Sequence, residues 1–122
     1  MGPRTDVFLL GSTLYTLLTG SPPFKPEHPS TEISEYRKQC VELAKECKFD
    51  RSKLLVHGIP EQLAAICLKA MAAEPEDRYP SAMCMAENLR SFLRRLDLFE
   101  ALFKALKWTP LPVALVLLLV WL

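Results

Sequence analysis

The sequence predicts an all-α protein. Across 122 residues its apolar side chains recur with the 3.6-residue period of a helix, and helix-starting and helix-stopping residues bracket these stretches. No run alternates with the period of two that a half-buried strand requires.

The first helix follows Thr5 or Asp6, either of which can supply an N-cap oxygen, and ends at Gly20, a residue suited to the left-handed position after a last turn. Ser21-Pro22-Pro23 cannot continue it. Val7, Phe8, Leu9, Leu10, Leu14, Tyr15, Leu17 and Leu18 are spread around the helical period, the pattern of a helix covered on most sides. Gly11 in its interior costs about 1 kcal/mol relative to alanine, so a neighbour is expected close against its backbone. The second helix is expected from Glu32 to Lys48, with Ile33, Tyr36, Cys40, Leu43, Ala44 and Cys47 on one side and charge on the other.

Pro60 suits the first turn of a third helix, in which Leu63, Ile66, Cys67, Ala70 and Met71 form one stripe before Pro75 ends it. Ser81 is the expected N-cap of a fourth, with Ala82, Met85, Ala86, Leu89, Phe92, Leu93 and Leu96 on one face. Leu98, Phe99, Leu102, Phe103 and Leu106 make a further apolar face, so Asp97 to Lys107 either extends this helix or lies along a membrane surface.

Two blocks carry a resemblance. Asp6-Val-Phe-Leu-Leu-Gly11, then Leu14-Tyr15, Leu17-Leu18, Thr19-Gly20 and Pro22-Pro23-Phe24, is similar to the central F helix of eukaryotic-type Ser/Thr protein kinases. Ile59-Pro60 with Leu63, then Ile66-Cys67 and Ala70-Met71, then Pro75-Glu76-Asp77-Arg78-Tyr79-Pro80-Ser81-Ala82, and finally Glu87-Asn88-Leu89 with Phe92-Leu93, resembles the H and I helices that close the kinase C-lobe in bacterial members.

The resemblance implies a partial kinase C-lobe, helices F to I, over residues 1–96; the charge and hydropathy beyond it are read as a juxtamembrane amphipathic segment at 97–110 and a truncated transmembrane segment at 111–122. It implies structural roles at Asp6, Gly11 and Arg78. Asp6 matches the acidic residue that accepts hydrogen bonds from the catalytic-loop backbone; read without the family, it is a plain N-cap. Arg78 matches the arginine that pairs with the glutamate of an Ala-Pro-Glu motif; in this chain by itself it reads as a solvated loop arginine. Both family partners would precede Met1. Leu9 stands where the family usually has a small residue. The second helix occupies the place of the G helix, which in kinases often helps to dock protein substrates or partners.

Catalytic parts are absent from the sequence. Phosphoryl transfer by a kinase needs a glycine-rich loop, a strand lysine, a catalytic Asp and Asn, and a metal-binding Asp. There is no Gly-x-Gly-x-x-Gly, His-Arg-Asp or Asp-Phe-Gly here, so no catalytic, cofactor or metal residue is assigned, although the intact family uses ATP and Mg. His28 and His57 read as loop histidines. Cys40, Cys47, Cys67 and Cys84 have no Cys-x-x-Cys spacing; Cys67 and Cys84 read as small core residues, and a reducing cytosol is expected.

Net charge +1, from 15 basic and 14 acidic residues, argues against a nucleic-acid partner. The charge is uneven: Arg90, Arg94, Arg95, Lys104 and Lys107 face only Asp97 and Glu100, just before the uncharged run Leu111 to Leu122. As a helix that run spans about 18 Å against a hydrocarbon core of roughly 30 Å, too short to cross as written. With Trp108 at its boundary it reads as part of a single-pass anchor, leaving the helical domain in the cytoplasm, or else as a buried C-terminal helix.

Three functional readings follow. One is the C-terminal fragment of a membrane-anchored Ser/Thr protein kinase, not catalytic alone, whose partners are the missing N-lobe and catalytic loop, the membrane and a protein substrate. Another is a non-catalytic, membrane-tethered helical interaction module derived from a kinase lobe. The third is a small membrane protein with a chance likeness.

Overall fold

The computed structural model describes residues 2–56, 58–108 and 111–121, with the side chains of 108 and 111–115 left aside. Five α-helices account for most of these: α1 (Pro3–Thr19), α2 (Ile33–Lys45), α3 (Glu61–Ala70), α4 (Ala82–Trp108) and α5 (Leu111–Trp121). Short 3-10 turns at Arg51–Leu55 and Pro75–Asp77 join them, and no strand occurs among the described residues. The reading of His57 as a loop residue falls outside the described residues, as does the placing of the Trp108 side chain at a membrane boundary.

Contacts divide the chain into two units, Met1–Leu89 and Arg90–Leu122. In the first, α1 packs on α3, and the turn at Arg51–Leu55 braces both. Tyr15, Leu54, Ala64, Cys67 and Met71 form its core, with Phe8, Leu14, Leu18, Phe24, Phe49, Ile59 and Leu68 packed around them. Aromatic contacts bind the edge of that core: Phe8 stacks on Phe24 at 5.7 Å, and Phe49 meets Tyr15 and Phe24 edge-on at 5.6 and 6.1 Å. Such offset and edge-on arrangements put the positive rim of one ring near the negative face of another.

Helix α1 begins earlier than expected. Gly2, in extended conformation, takes the N-cap position, and Pro3 opens the first turn, where its fixed φ fits and its missing N–H costs nothing. Neither Thr5 nor Asp6 caps it. The far end is as anticipated: Gly20 adopts φ 76°, and its N–H donates to the Thr16 carbonyl at 2.9 Å. Coverage on most sides is corrected, because only Val7, Gly11 and Tyr15 are buried, one stripe at four-residue spacing, while Leu9, Leu10 and Leu17 are exposed.

Helix α2 has no fully buried residue; Tyr36, Cys40, Leu43 and Ala44 are half-buried, and Ile33 is exposed. It ends on a Schellman pattern without glycine. The Lys48 N–H donates to the Leu43 carbonyl at 2.9 Å and the Cys47 N–H to Ala44 at 3.1 Å, with Cys47 at φ 53°. The Cys47 thiol then donates to the Met71 carbonyl at 3.1 Å, a tertiary bond that helps to hold a conformation unfavourable for a side chain with a Cβ.

Helix α3 buries Ala64, Ile66, Cys67 and Ala70, followed by Met71, and stops before Pro75, which instead opens a 3-10 turn. Ser81 caps α4 through its hydroxyl, which accepts from the Cys84 N–H at 3.3 Å. At 27 residues, about 40 Å, α4 continues unbroken to Trp108, so the segment from Asp97 to Lys107 is helical and prolongs the fourth helix. The expected apolar face is buried at Met85 and Phe92, but Leu93 and Leu96 are exposed.

The apolar C-terminal run is helical from Leu111 to Trp121, 11 residues or about 16 Å. Among the described residues no helix is long and apolar enough to cross a membrane. The truncated transmembrane segment expected at 111–122 is therefore not supported by the described structure, in which α5 reaches about half of a hydrocarbon core.

Candidate functional site

The residues singled out by their motif positions, Asp6, Gly11 and Arg78, all belong to the α1 region and the loop that follows α3. At Gly11, α1 lies close against the end of α3. A Cβ added there would lie 2.8 Å from Ala70 Cβ and 2.8 Å from Met71 Cγ, closer than real side chains approach. The Cys67 thiol donates to the Gly11 carbonyl at 3.5 Å on the same contact. Burial pushes the Cys67 thiol up to about 11, so it remains a protonated donor at neutral pH.

Arg78 follows the turn at Pro75–Asp77, and its N–H closes that turn on the Pro75 carbonyl at 3.2 Å. Its side chain is not a solvated loop arginine. Nε donates to the Ala72 carbonyl at 2.7 Å, Nη2 to Ala73 at 3.0 Å and Nη1 to Arg4 at 3.4 Å, while the guanidinium carbon sits 4.6 Å from the centre of the Phe8 ring. A planar fork with five N–H groups can serve three carbonyls and an aromatic face together, which an ammonium cannot do. The result ties the loop after α3 to the first turns of α1. Among the described residues no carboxylate pairs with it; the ion pairs present are Lys38–Glu35, Lys45–Glu42, Lys48–Glu46 and Lys104–Glu100.

Asp6 is exposed in the first turn of α1, four positions from the N-cap glycine. Its carboxylate takes part in no hydrogen bond or ion pair among the described residues, and its negative charge there complements the positive end of the helix dipole. Leu9, also on the outer side of α1, is 54% exposed and crowds nothing within the described structure.

Tyr15 was legible as an apolar helix residue but not as a polar link. Its hydroxyl donates to the Asp50 carbonyl at 2.8 Å across 35 residues, and burial raises its pKa, with the nearby Asp50 charge adding to the effect. Phe49, with Arg51 5.3 Å from its ring, carries no motif and had no sequence signal beyond its apolarity.

Beside this core, the end of α1, the proline-rich loop and α2 enclose an open cleft of about 840 Å³ lined by Tyr15, Pro23, His28, Glu42, Lys48 and Asp50 among others. His28 is exposed on a bend there. The lining mixes lysines with carboxylates, several already paired with each other. No three His, Cys, Asp or Glu residues converge in a way that could hold a metal ion among the described residues. All four cysteines are unbridged.

Comparison with known proteins gives this arrangement a relationship. No family model matches the chain. It is 39% identical over 90 residues to the tyrosine-protein kinase MasK of Myxococcus xanthus, covering 74% of this chain and 13% of that protein. It is 31% identical over 98 residues to the Ser/Thr protein kinase PknL of Mycobacterium tuberculosis, covering 80% of this chain and 23% of that one. With the Ser/Thr protein kinase PknB of Mycobacterium leprae the identity is 36% over 87 residues, 70% of this chain and 12% of the other. The chain thus spans under a quarter of the length of these curated relatives. Over some 70–80% of its length the chain is homologous to bacterial Ser/Thr and tyrosine protein kinases, and its all-helical structure among the described residues is consistent with a segment of a kinase C-lobe.

Proposed function

We propose that this chain serves as the C-terminal scaffold of a membrane-anchored bacterial-type Ser/Thr protein kinase and transfers no phosphoryl group by itself. The observation that carries the reading is the closed α1–α3 contact at Gly11, locked by the Arg78 fork, in a chain homologous to bacterial protein kinases over most of its length. In the intact enzyme, Asp6 would present its exposed carboxylate to the catalytic-loop backbone. The Arg78 guanidinium, with donors to spare and no carboxylate partner among the described residues, would take the glutamate at the end of an activation segment. ATP and Mg would be held by residues outside this sequence, because it contains no glycine-rich phosphate cradle and no catalytic Asp–Asn set. Anchoring is supported by the apolar α5 and the preceding excess of Lys and Arg, which would leave the helical unit on the cytoplasmic side.

A chimera tests the scaffold role. The matched 90-residue stretch of the Myxococcus xanthus kinase is replaced by its counterpart from this chain, and phosphoryl transfer is assayed beside the 122-residue chain alone. The expected outcome is activity in the chimera and none in the chain alone. A folded but inactive chimera would remove the scaffold reading.

The second reading, a non-catalytic tethered interaction module, is favoured by one observation: residues Met1–Leu89 form a unit with its own core. Cooperative unfolding of the chain without any partner, combined with an inactive chimera, would select it.

A further inference from the structure

We propose that the second half of α4 lies in the plane of an anionic bilayer surface, as an interfacial helix that precedes and orients the apolar α5. The inference rests on the membrane association proposed above and goes beyond it, because it assigns the contact to a different helix and to a lipid charge.

The structural basis is a change of environment along one continuous helix. At Met85 and Phe92 the apolar face of α4 is buried, with 3% and 9% exposure. One and a half turns later it is open: Leu98, Phe99, Leu102 and Phe103 are 61–72% exposed. These four occupy positions i, i+1, i+4 and i+5, which fall within one arc of the helix surface. A contiguous apolar face on a charged helix is the form that inserts shallowly at a lipid interface.

Charge selects the occupant. Within 90–107 five basic residues stand against Asp97 and Glu100. Lys107 and Lys104 lie on one margin of the apolar arc, on the Phe103 side, and the Lys107 ammonium lies 5.4 Å from the centre of the Phe103 ring, its stem along the apolar face and its charge at the edge. Lys104 reaches Glu100 only at 4.0 Å, both side chains more than three-quarters exposed, so its charge remains available. An apolar protein groove would match the arc but not the cationic margin, whereas a surface of acidic phospholipids matches both. Among the described residues no helix is both long and apolar enough to cross a membrane: α4 has the length but carries charge along it.

The test uses the full chain, with co-sedimentation on phosphatidylcholine vesicles prepared with and without phosphatidylglycerol, at low and high salt. The double variants are Phe99→Ser with Phe103→Ser, Lys104→Glu with Lys107→Glu, and, as a control of equal charge change on another helix, Lys38→Glu with Lys45→Glu. The expected result is binding enhanced by phosphatidylglycerol and weakened by salt. The first two variants should lower the partition by about tenfold or more, and the α2 control should bind as the parent does. Binding that ignores all three changes and the lipid charge would leave α5 as the anchor and overturn the interfacial helix alone. Absence of binding to any vesicle would overturn the anchoring reading with it. A parent chain that self-associates in place of binding vesicles, and becomes monomeric on the Phe99→Ser with Phe103→Ser change, would assign the face to a second copy and also overturn the proposal.

Discussion

Gly11 and Arg78 hold the kinase-like unit together in opposite ways, one by what it lacks and the other by how many groups it reaches. At Gly11 a methyl group would meet Ala70 Cβ, which has no rotamer to yield, as well as the more pliable Met71 side chain. Gly11→Ala is therefore expected to destabilise by about 1–3 kcal/mol, despite the better helix propensity of alanine; the midpoint of urea unfolding measures it. Arg78→Lys keeps the charge and loses the fork, so the carbonyls of Ala72, Ala73 and Arg4 cannot all be satisfied. A loss on the order of 1–3 kcal/mol is expected, with no rescue by lysine. Cys67 supplies a pH dependence. Its thiol, ordinarily near 9.0, is raised to about 11 by burial, so the unfolded chain releases a proton at a pH where the folded chain keeps it. Stability should be unaffected by this group below pH 9 and decline from there toward 11, and Cys67→Ala should flatten that part of the profile. Of these features the glycine was legible, because a glycine inside an apolar helical pattern needs a reason. The Arg78 contacts were not, since carbonyl acceptors at Arg4, Ala72 and Ala73 carry no side-chain signature.

At the scale of elements, capping residues were readable where they act locally. Ser81 precedes an apolar-periodic run and caps α4, so Ser81→Ala should cost about 1 kcal/mol, seen as a lower thermal midpoint. Gly20 likewise announced the end of α1. The start of α1 was misplaced because Pro3 at the first position, with Gly2 before it, does without a side-chain cap, leaving Asp6 one turn inside. The end of α2 gave no warning either. Cys47 occupies a left-handed position that glycine would normally mark, and what accompanies it is a bond to Met71, 24 residues away. Burial of α1 was overestimated for a related reason: its apolar residues surround the helix, but α3 and its neighbours contact only the Val7–Gly11–Tyr15 side.

For the whole molecule, the division between Met1–Leu89 and Arg90–Leu122 predicts a gradient in backbone protection. Amides of α4 around Met85 to Phe92 lie beside buried side chains, whereas those around Leu98 to Phe103 are flanked by exposed ones. Hydrogen exchange in solution without lipid should be slow in the first region and markedly faster in the second; equal protection throughout would contradict the packing described. The helical class, the order of helices and the kinase likeness were determined by the sequence itself, because period, caps and motif blocks are local and survive being read one residue at a time. Which apolar faces are covered and what Arg78 grips were decided only by tertiary structure. Those outcomes depend on which surfaces meet across tens of residues, and a helical pattern is the same whether a neighbour covers it or not.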